Sequence, residues 1–334
     1  MNKKISSFIQ YLVLLLLGGG LIYLSIKRTD VSKEEVVNAF TESNWFWIVF
    51  SLIISFFSHY ARAYRWNYLL ENYGHHSKIS ISLSSVLIGY LANYGLPRMG
   101  EISRCAVVNK YQKIPMDIAL GTVIAERVVD MLLLIVIFIL VVIFNYNDLY
   151  ALLNQYIFTP LSQKLESVNW IYLLIFLTIG ISFIYWLFKR KTSNNQSSLI
   201  DKILSFIQNI IRPLMEIHKM KRPLGFWIWS LIIWLMYYLS MYTCALAMPS
   251  TEQLGILKIL VLFLFGTVGV IVTPGGIGAY HFLLTEILLY YQLDKASAVA
   301  FPWIIWGTQF ILILISGGLS FILLPVFAKK INHD

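Results

Sequence analysis

Apolar runs close to the ~20 residues that cover ~30 Å of hydrocarbon recur along the whole chain, from residues 8–26 to residues 299–327. In lipid every backbone N–H and C=O must find its partner inside the protein, so repeated runs of this length read as spanning helices. The composition agrees: 58% of the residues are hydrophobic, 13% are charged and the mean hydropathy is +0.71, which excludes a large water-facing domain. The first run is longer than a signal-peptide core and lacks a small-residue cleavage pattern after it, so it is expected to be a retained span.

The formal charge of +9 does not need nucleic acid as its explanation. Most of the basic residues sit in short connections between apolar runs, where they set orientation. Lys27, Arg28 and Lys33 are offset by Asp30, Glu34, Glu35 and Glu42, which places residues 27–44 outside and both termini in the cytoplasm. The second span, 45–66, then runs inward and ends in His59, Arg62 and Arg65. Arg62 and Arg65, three apart on one helical face, are expected to snorkel to the inner headgroups, with lipid headgroup binding as the alternative. Residues 80–113 read as a re-entrant hairpin broken at Pro97, residues 117–144 as an outward span and residues 145–169 as an outer loop. A span over 170–188 leads to a basic cytoplasmic segment, 189–222, in which Ile200, Ile203, Leu204, Ile207 and Ile211 recur at the spacing of a helix lying along the inner surface. Residues 226–248 then cross outward. The apolar pair 257–272 and 277–291 either dips back or crosses fully, and 299–327 returns inside.

The expected fold is therefore an all-α polytopic membrane protein, a single transmembrane domain over residues 1–334. It has two inverted halves, 1–150 and 165–330, each with three spans and a helical hairpin broken by Pro and Gly.

Polar groups within these apolar segments are the candidate site, because a charge at mid-bilayer costs roughly 2.5 to 3.5 kcal/mol even on lenient scales. Glu126 and Asp130 lie four apart on one helical face, with Arg127 one position round, and can form an ion network with Arg98, Glu101 or Arg104 of the hairpin. Pinning the hairpin and handling a substrate weigh equally as its purpose. Glu101 and Arg104 can also pair with each other, leaving Arg98 as the free cation. Thr273-Pro274-Gly275-Gly276-Ile277-Gly278 suits either a backbone opened toward a cavity or a tight turn. His281 and Glu286 follow it inside an apolar run, and a hydrogen-bonded structural imidazole is the commoner fate of such a histidine. Catalytic and nucleotide-binding motifs are missing, and Cys105 and Cys244 suggest neither a disulfide framework nor a metal cluster. No cofactor, metal site or enzymatic activity is expected.

Taken together, Asn93, Leu96-Pro97-Arg98-Met99-Gly100-Glu101, Glu126-Arg127-x-x-Asp130 and Thr273-Pro274-Gly275-Gly276-x-Gly278 resemble the lysylphosphatidylglycerol synthase transmembrane-region family. That family is the flippase-like part of bacterial aminoacyl-phosphatidylglycerol synthases, here expected as a stand-alone module without the synthase domain. The resemblance covers nearly the whole chain. It implies a bacterial inner-membrane protein that moves a lipid or lipid-linked headgroup between leaflets, with membrane lipids bearing an anionic headgroup or phosphate as partners. On this reading Arg98, Arg104 and Arg127 meet the phosphate while Glu101, Glu126 and Asp130 orient them. Two departures, Arg98 directly after the proline and His281 where a glutamate is expected, argue against transferring substrate identity. The alternative reading is a non-transporting scaffold or partner subunit of a lipid-modifying synthase or glycosyltransferase.

Overall fold

The computed structural model describes residues 3–95, 99–159 and 220–331. Pro97, Arg98, the expected span 170–188 and the expected surface helix over 200–211 lie outside these residues. Every regular element described is helical, and among the described residues four helices are long and apolar enough to cross a membrane. The chain is a multi-pass membrane protein.

Helix α1 (Lys3–Thr29) is followed by α2 (Lys33–Thr41), which begins at a capping box. The Ser32 hydroxyl accepts from the Glu35 N–H, and the Glu35 carboxylate accepts from the Ser32 N–H at 2.8 Å. Helix α3 (Trp45–Asn72) starts with the Asn44 side chain accepting from the Phe46 N–H. It runs beyond the expected end of the second span. Next come α4 (Ile79–Gly95), α5 (Met99–Gln112) and α6 (Met116–Phe144). Part of the expected outer loop is helical, as α7 (Tyr146–Leu153) continues into a π-helical turn, Asn154–Phe158. These two belong to a second compact unit, in which the rings of Tyr146 and Tyr150, one helical turn apart, stack at 6.1 Å. The chain re-enters the first unit with α8 (Pro223–Ala245), α9 (Pro249–Glu252), α10 (Ile256–Val272), α11 (Ala279–Tyr290) and α12 (Lys295–Ile331). Among the described residues, the four helices both long and apolar enough to cross are α3, α6, α8 and α12, whereas α4 and α10 are apolar but shorter, at 17 residues each.

Small residues let these helices approach closely. Helices α4 and α5 fold against each other where Gly89 meets Gly100, and a Cβ on Gly100 would strike the Gly89 carbonyl and the Asn93 amide. Helix α3 packs along α8, and the Ser240 hydroxyl donates to the Ser51 carbonyl at 3.1 Å. Between α10 and α11 the chain turns through Pro274–Gly276, and at Gly278 (φ 85°) a Cβ would run into the α1 backbone at Gly18. Only glycine accepts both that dihedral and that contact.

Candidate functional site

Five ionised side chains from three helices meet in the interior of the first unit. Glu126 and Asp130 project from one face of α6, Arg62 and Arg65 from one face of α3, and Arg104 from α5; all five are buried. Asp130 accepts from Arg62 Nη1 through Oδ2 and from Arg65 Nη1 through Oδ1, both at 2.9 Å. Glu126 accepts from Arg65 through Oε1 at 3.3 Å and from Arg104 Nη1 through Oε2 at 2.6 Å. All four carboxylate oxygens are thus engaged. Three guanidiniums face two carboxylates, so the cluster carries one unbalanced positive charge.

Neutral groups complete the shell. Arg65 also donates to Ser230 Oγ at 3.2 Å, and Arg62 Nε donates to the Tyr237 hydroxyl, itself 3.2 Å from the Tyr90 hydroxyl. The Arg104 guanidinium lies over the Trp66 ring at 3.7 Å, and the Trp66 indole donates to Thr122 Oγ1. A stacked, forked cation suits Arg rather than Lys at these positions.

Arg62 and Arg65 are therefore not snorkelling residues. They sit well inside α3, and their charge is met by carboxylates of α6 instead of by water and headgroups, because α3 continues through Trp66, Leu69 and Leu70, all buried. The signal was present in the sequence as two arginines on one helical face and two carboxylates on another, and the expected helix end at residue 66 concealed it.

The structure distributes the other expected site residues differently. Glu101 pairs not with Arg104 but with Arg127, at 2.8 Å on a partly exposed rim. Beside that pair is a cavity of about 20 Å³, room for a single water. Arg104 Nε and Nη2 and Glu101 Oε2 have no hydrogen-bond partner among the described residues. Asn93 has a local role: its Oδ1 accepts from the Gly100 N–H at 2.7 Å, satisfying one of the open donors at the start of α5. Arg98 lies outside the described residues.

Thr273, Pro274, Gly275, Gly276 and Gly278 form the turn between α10 and α11. The Gly275 carbonyl accepts from the Trp306 indole at 2.7 Å, and a Cβ on Gly275 would lie 3.1 Å from the Tyr94 ring. The turn thus abuts the last turn of α4. His281 is buried with its ring 3.9 Å from that of Trp303 and 5.3 Å from that of Trp306, and neither of its nitrogens has a hydrogen-bond partner among the described residues.

A second cavity, of about 460 Å³, opens beside the cluster. One wall is the face of α3 that carries Ser55, His59 and Arg62 at helical spacing, with Asp130 and Arg127 of α6 at the same end. A further part of the wall is apolar and includes Met131 and Leu134 of α6 and Val270 and Ile271 of α10. Met131, Val270 and Ile271 are 44%, 48% and 68% exposed, so this wall continues onto the outer surface of the helices. Tyr94 and Tyr280, which flank the glycine turn, line the cavity; the turn residues themselves are not among those lining it. A charged end joined to an apolar, outward-opening side is the arrangement an amphiphile requires. Among the described residues no cluster of His, Cys, Asp and Glu could hold a metal ion.

A family model described as the Lysylphosphatidylglycerol synthase TM region matches residues 10–317 of the chain. Neither a curated protein nor a solved structure matches it.

Proposed function

Because the chain belongs to the lysylphosphatidylglycerol synthase TM region family, we propose that it is a flippase-like protein that carries a phosphate-bearing lipid headgroup through the cavity beside Arg62. The single observation behind this reading is that a cluster of three arginines and two carboxylates borders a cavity large enough for a headgroup. An anionic phosphate would balance the surplus charge, and the acyl chains would leave between α6 and α10. The family adds the association with lipid, and no bond-breaking step is assigned to the chain.

In this reading the two halves of the sequence are inverted repeats in a bacterial inner membrane with both termini cytoplasmic. Helices α4 with α5 and α10 with α11 are their membrane-inserted hairpins. The shortness of α4 and α10, at 17 residues, supports the hairpins, since roughly 25 Å of helix falls short of ~30 Å of hydrocarbon.

The scaffold reading is favoured by one feature: every oxygen of Glu126 and Asp130 is already engaged inside the protein. Reconstitution separates the two. The protein in vesicles should expose inner-leaflet fluorescent phospholipid to an external quencher, and Thr267→Trp, which fills the cavity without touching the ion cluster, should slow that exposure roughly tenfold. Rates equal to those of protein-free vesicles would leave the scaffold reading.

A further inference from the structure

Helix α5 carries two unspent groups that match each other. Arg104 is 6% exposed and gives Nη1 to Glu126, while the other edge of its guanidinium, Nε–H beside Nη2–H, has no acceptor among the described residues. Glu101 gives Oε1 to Arg127, and its buried Oε2 has no donor among the described residues. Buried polar atoms left in this way are costly. The two residues are three apart on α5 and so occupy neighbouring positions on its surface. Both line the cavity of about 20 Å³, which has room for a single water. A carboxylate and one edge of a guanidinium make the two parallel bonds of a bidentate pair, yet here Glu101 turns to Arg127.

The pair that Glu101 does make is the weakest joint of the network. It rests on one contact, Arg127 Nη2 to Oε1 at 2.8 Å, with both side chains partly exposed, and an ion pair of that kind adds little stability. Glu101 is the one hydrogen-bond partner of Arg127 among the described residues. The backbone under Glu101 is fixed by the bond from the Gly100 N–H to Asn93, so a change of partner needs only rotation of the Glu101 side chain. Arg127 also lines the large cavity; with Arg62 and Tyr90 it is shared by the two cavities.

Resting on the flippase-like reading above, we propose that Glu101 is a latch that exchanges arginines when a lipid phosphate enters the large cavity. In the arrangement described here it holds Arg127 at the rim. A phosphate beside Arg62 draws Arg127 to itself, and the freed carboxylate turns to the open edge of Arg104. A ligand shifts such a balance only through contacts that differ between the two arrangements, and the phosphate meets Arg127 in one of them alone. The charges then close: Arg127 faces the phosphate, and Arg62, Arg65 and Arg104 face three carboxylates, Glu101, Glu126 and Asp130, in place of two. The exchange also breaks one of the two ion pairs between α5 and α6, leaving Arg104 with Glu126, so the arriving headgroup loosens α5 from α6. Glu101 is a positioning residue, acting on the lipid through Arg127.

The test follows the Nε–H magnetic resonance of Arg104 in the full chain, made with isotopically labelled arginine and held in phosphate-free maltoside micelles. Its disappearance in Arg104→Lys assigns it. Arg127→Gln, which removes the competing partner, should move the resonance downfield and slow its exchange with water several-fold, as a new bond to a carboxylate does. Adding Glu101→Met, which offers no oxygen, should return both to their wild-type values. Phosphatidylglycerol added to the wild type should produce the same change. An equal concentration of inorganic phosphate, which has no acyl chains for the apolar wall, should not. A resonance unmoved in Arg127→Gln, or moved equally in the double variant, would overturn the latch. A change that phosphatidylglycerol fails to produce, or that inorganic phosphate produces as well, would overturn its coupling to lipid. The vesicle assay on the same protein tests the flippase-like reading separately. Lipid movement without the change leaves that reading and removes the latch, whereas the change without lipid movement removes transport and leaves the latch as a response to bound lipid.

Discussion

Glu126 divides its two oxygens between Arg65 and Arg104, so Glu126→Gln removes the charge that both cations face. For a buried pair that loss is ~3 to 5 kcal/mol, and thermal unfolding in detergent should record it as a large drop. Arg104→Met should cost less, because Glu126 keeps Arg65 and the cluster loses its surplus charge rather than its counter-charge; the reverse order would show that Arg104 is needed for something other than balance. At this scale the sequence exposed the acidic half of the site: Glu126 and Asp130 stand out, four apart, in an otherwise apolar run. Of the basic half, Arg104 was among the expected partners and meets Glu126, but Arg62 and Arg65 were hidden, since arginines near the expected end of a span read as headgroup contacts, and only the packing of α3 beside α6 shows that they point inward. His59 was placed at the same span end, whereas the structure buries it on α3.

Elements hold the site through their ends. Helix α5 presents Arg104 to Glu126 only while its first turn is fixed, and Asn93 of α4 fixes it through the Gly100 N–H. Asn93→Ala should cost about 1 kcal/mol, as loss of a helix cap does, whereas Gly100→Ala should reduce the yield of folded protein, since its Cβ would press on the Gly89 backbone. Equal stability of Gly100→Ala and wild type would contradict the close α4 to α5 contact. At the start of α12 burial pushes the Asp294 carboxyl up, but hydrogen bonds from the Ser297 N–H and from the Ser250 and Ser297 hydroxyls prevail and hold it below the usual carboxylate range. A carboxyl lowered in the fold stabilises above its unfolded value of about 3.9 and loses that contribution as pH falls through its folded value. The stability gap between wild type and Asp294→Ala should therefore be present at neutral pH and close under strong acid, as thermal unfolding across pH would report. The proline and glycine breaks marked the helix ends in the sequence. What caps them was not legible, because Asn93 reaches Gly100 only through the register of two packed helices.

On the scale of the whole molecule, the ion cluster joins α3, α5 and α6 around one surplus positive charge, and the cavity beside it leads from Arg62 to an apolar wall on α6 and α10. The number of apolar runs made the membrane class plain from composition alone. The cavity was not visible there, since it arises from which faces of α3, α8, α10 and α12 are left apart. The central claim is that this space receives a lipid headgroup, and photolabelling with a phospholipid that carries a diazirine on its headgroup tests it most directly. Peptides spanning Ser55–Arg62 and Tyr90–Tyr94 should be labelled, and Thr267→Trp should suppress that labelling. Labelling confined to outward-facing segments such as Phe321–Leu323, unchanged by Thr267→Trp, would contradict the account.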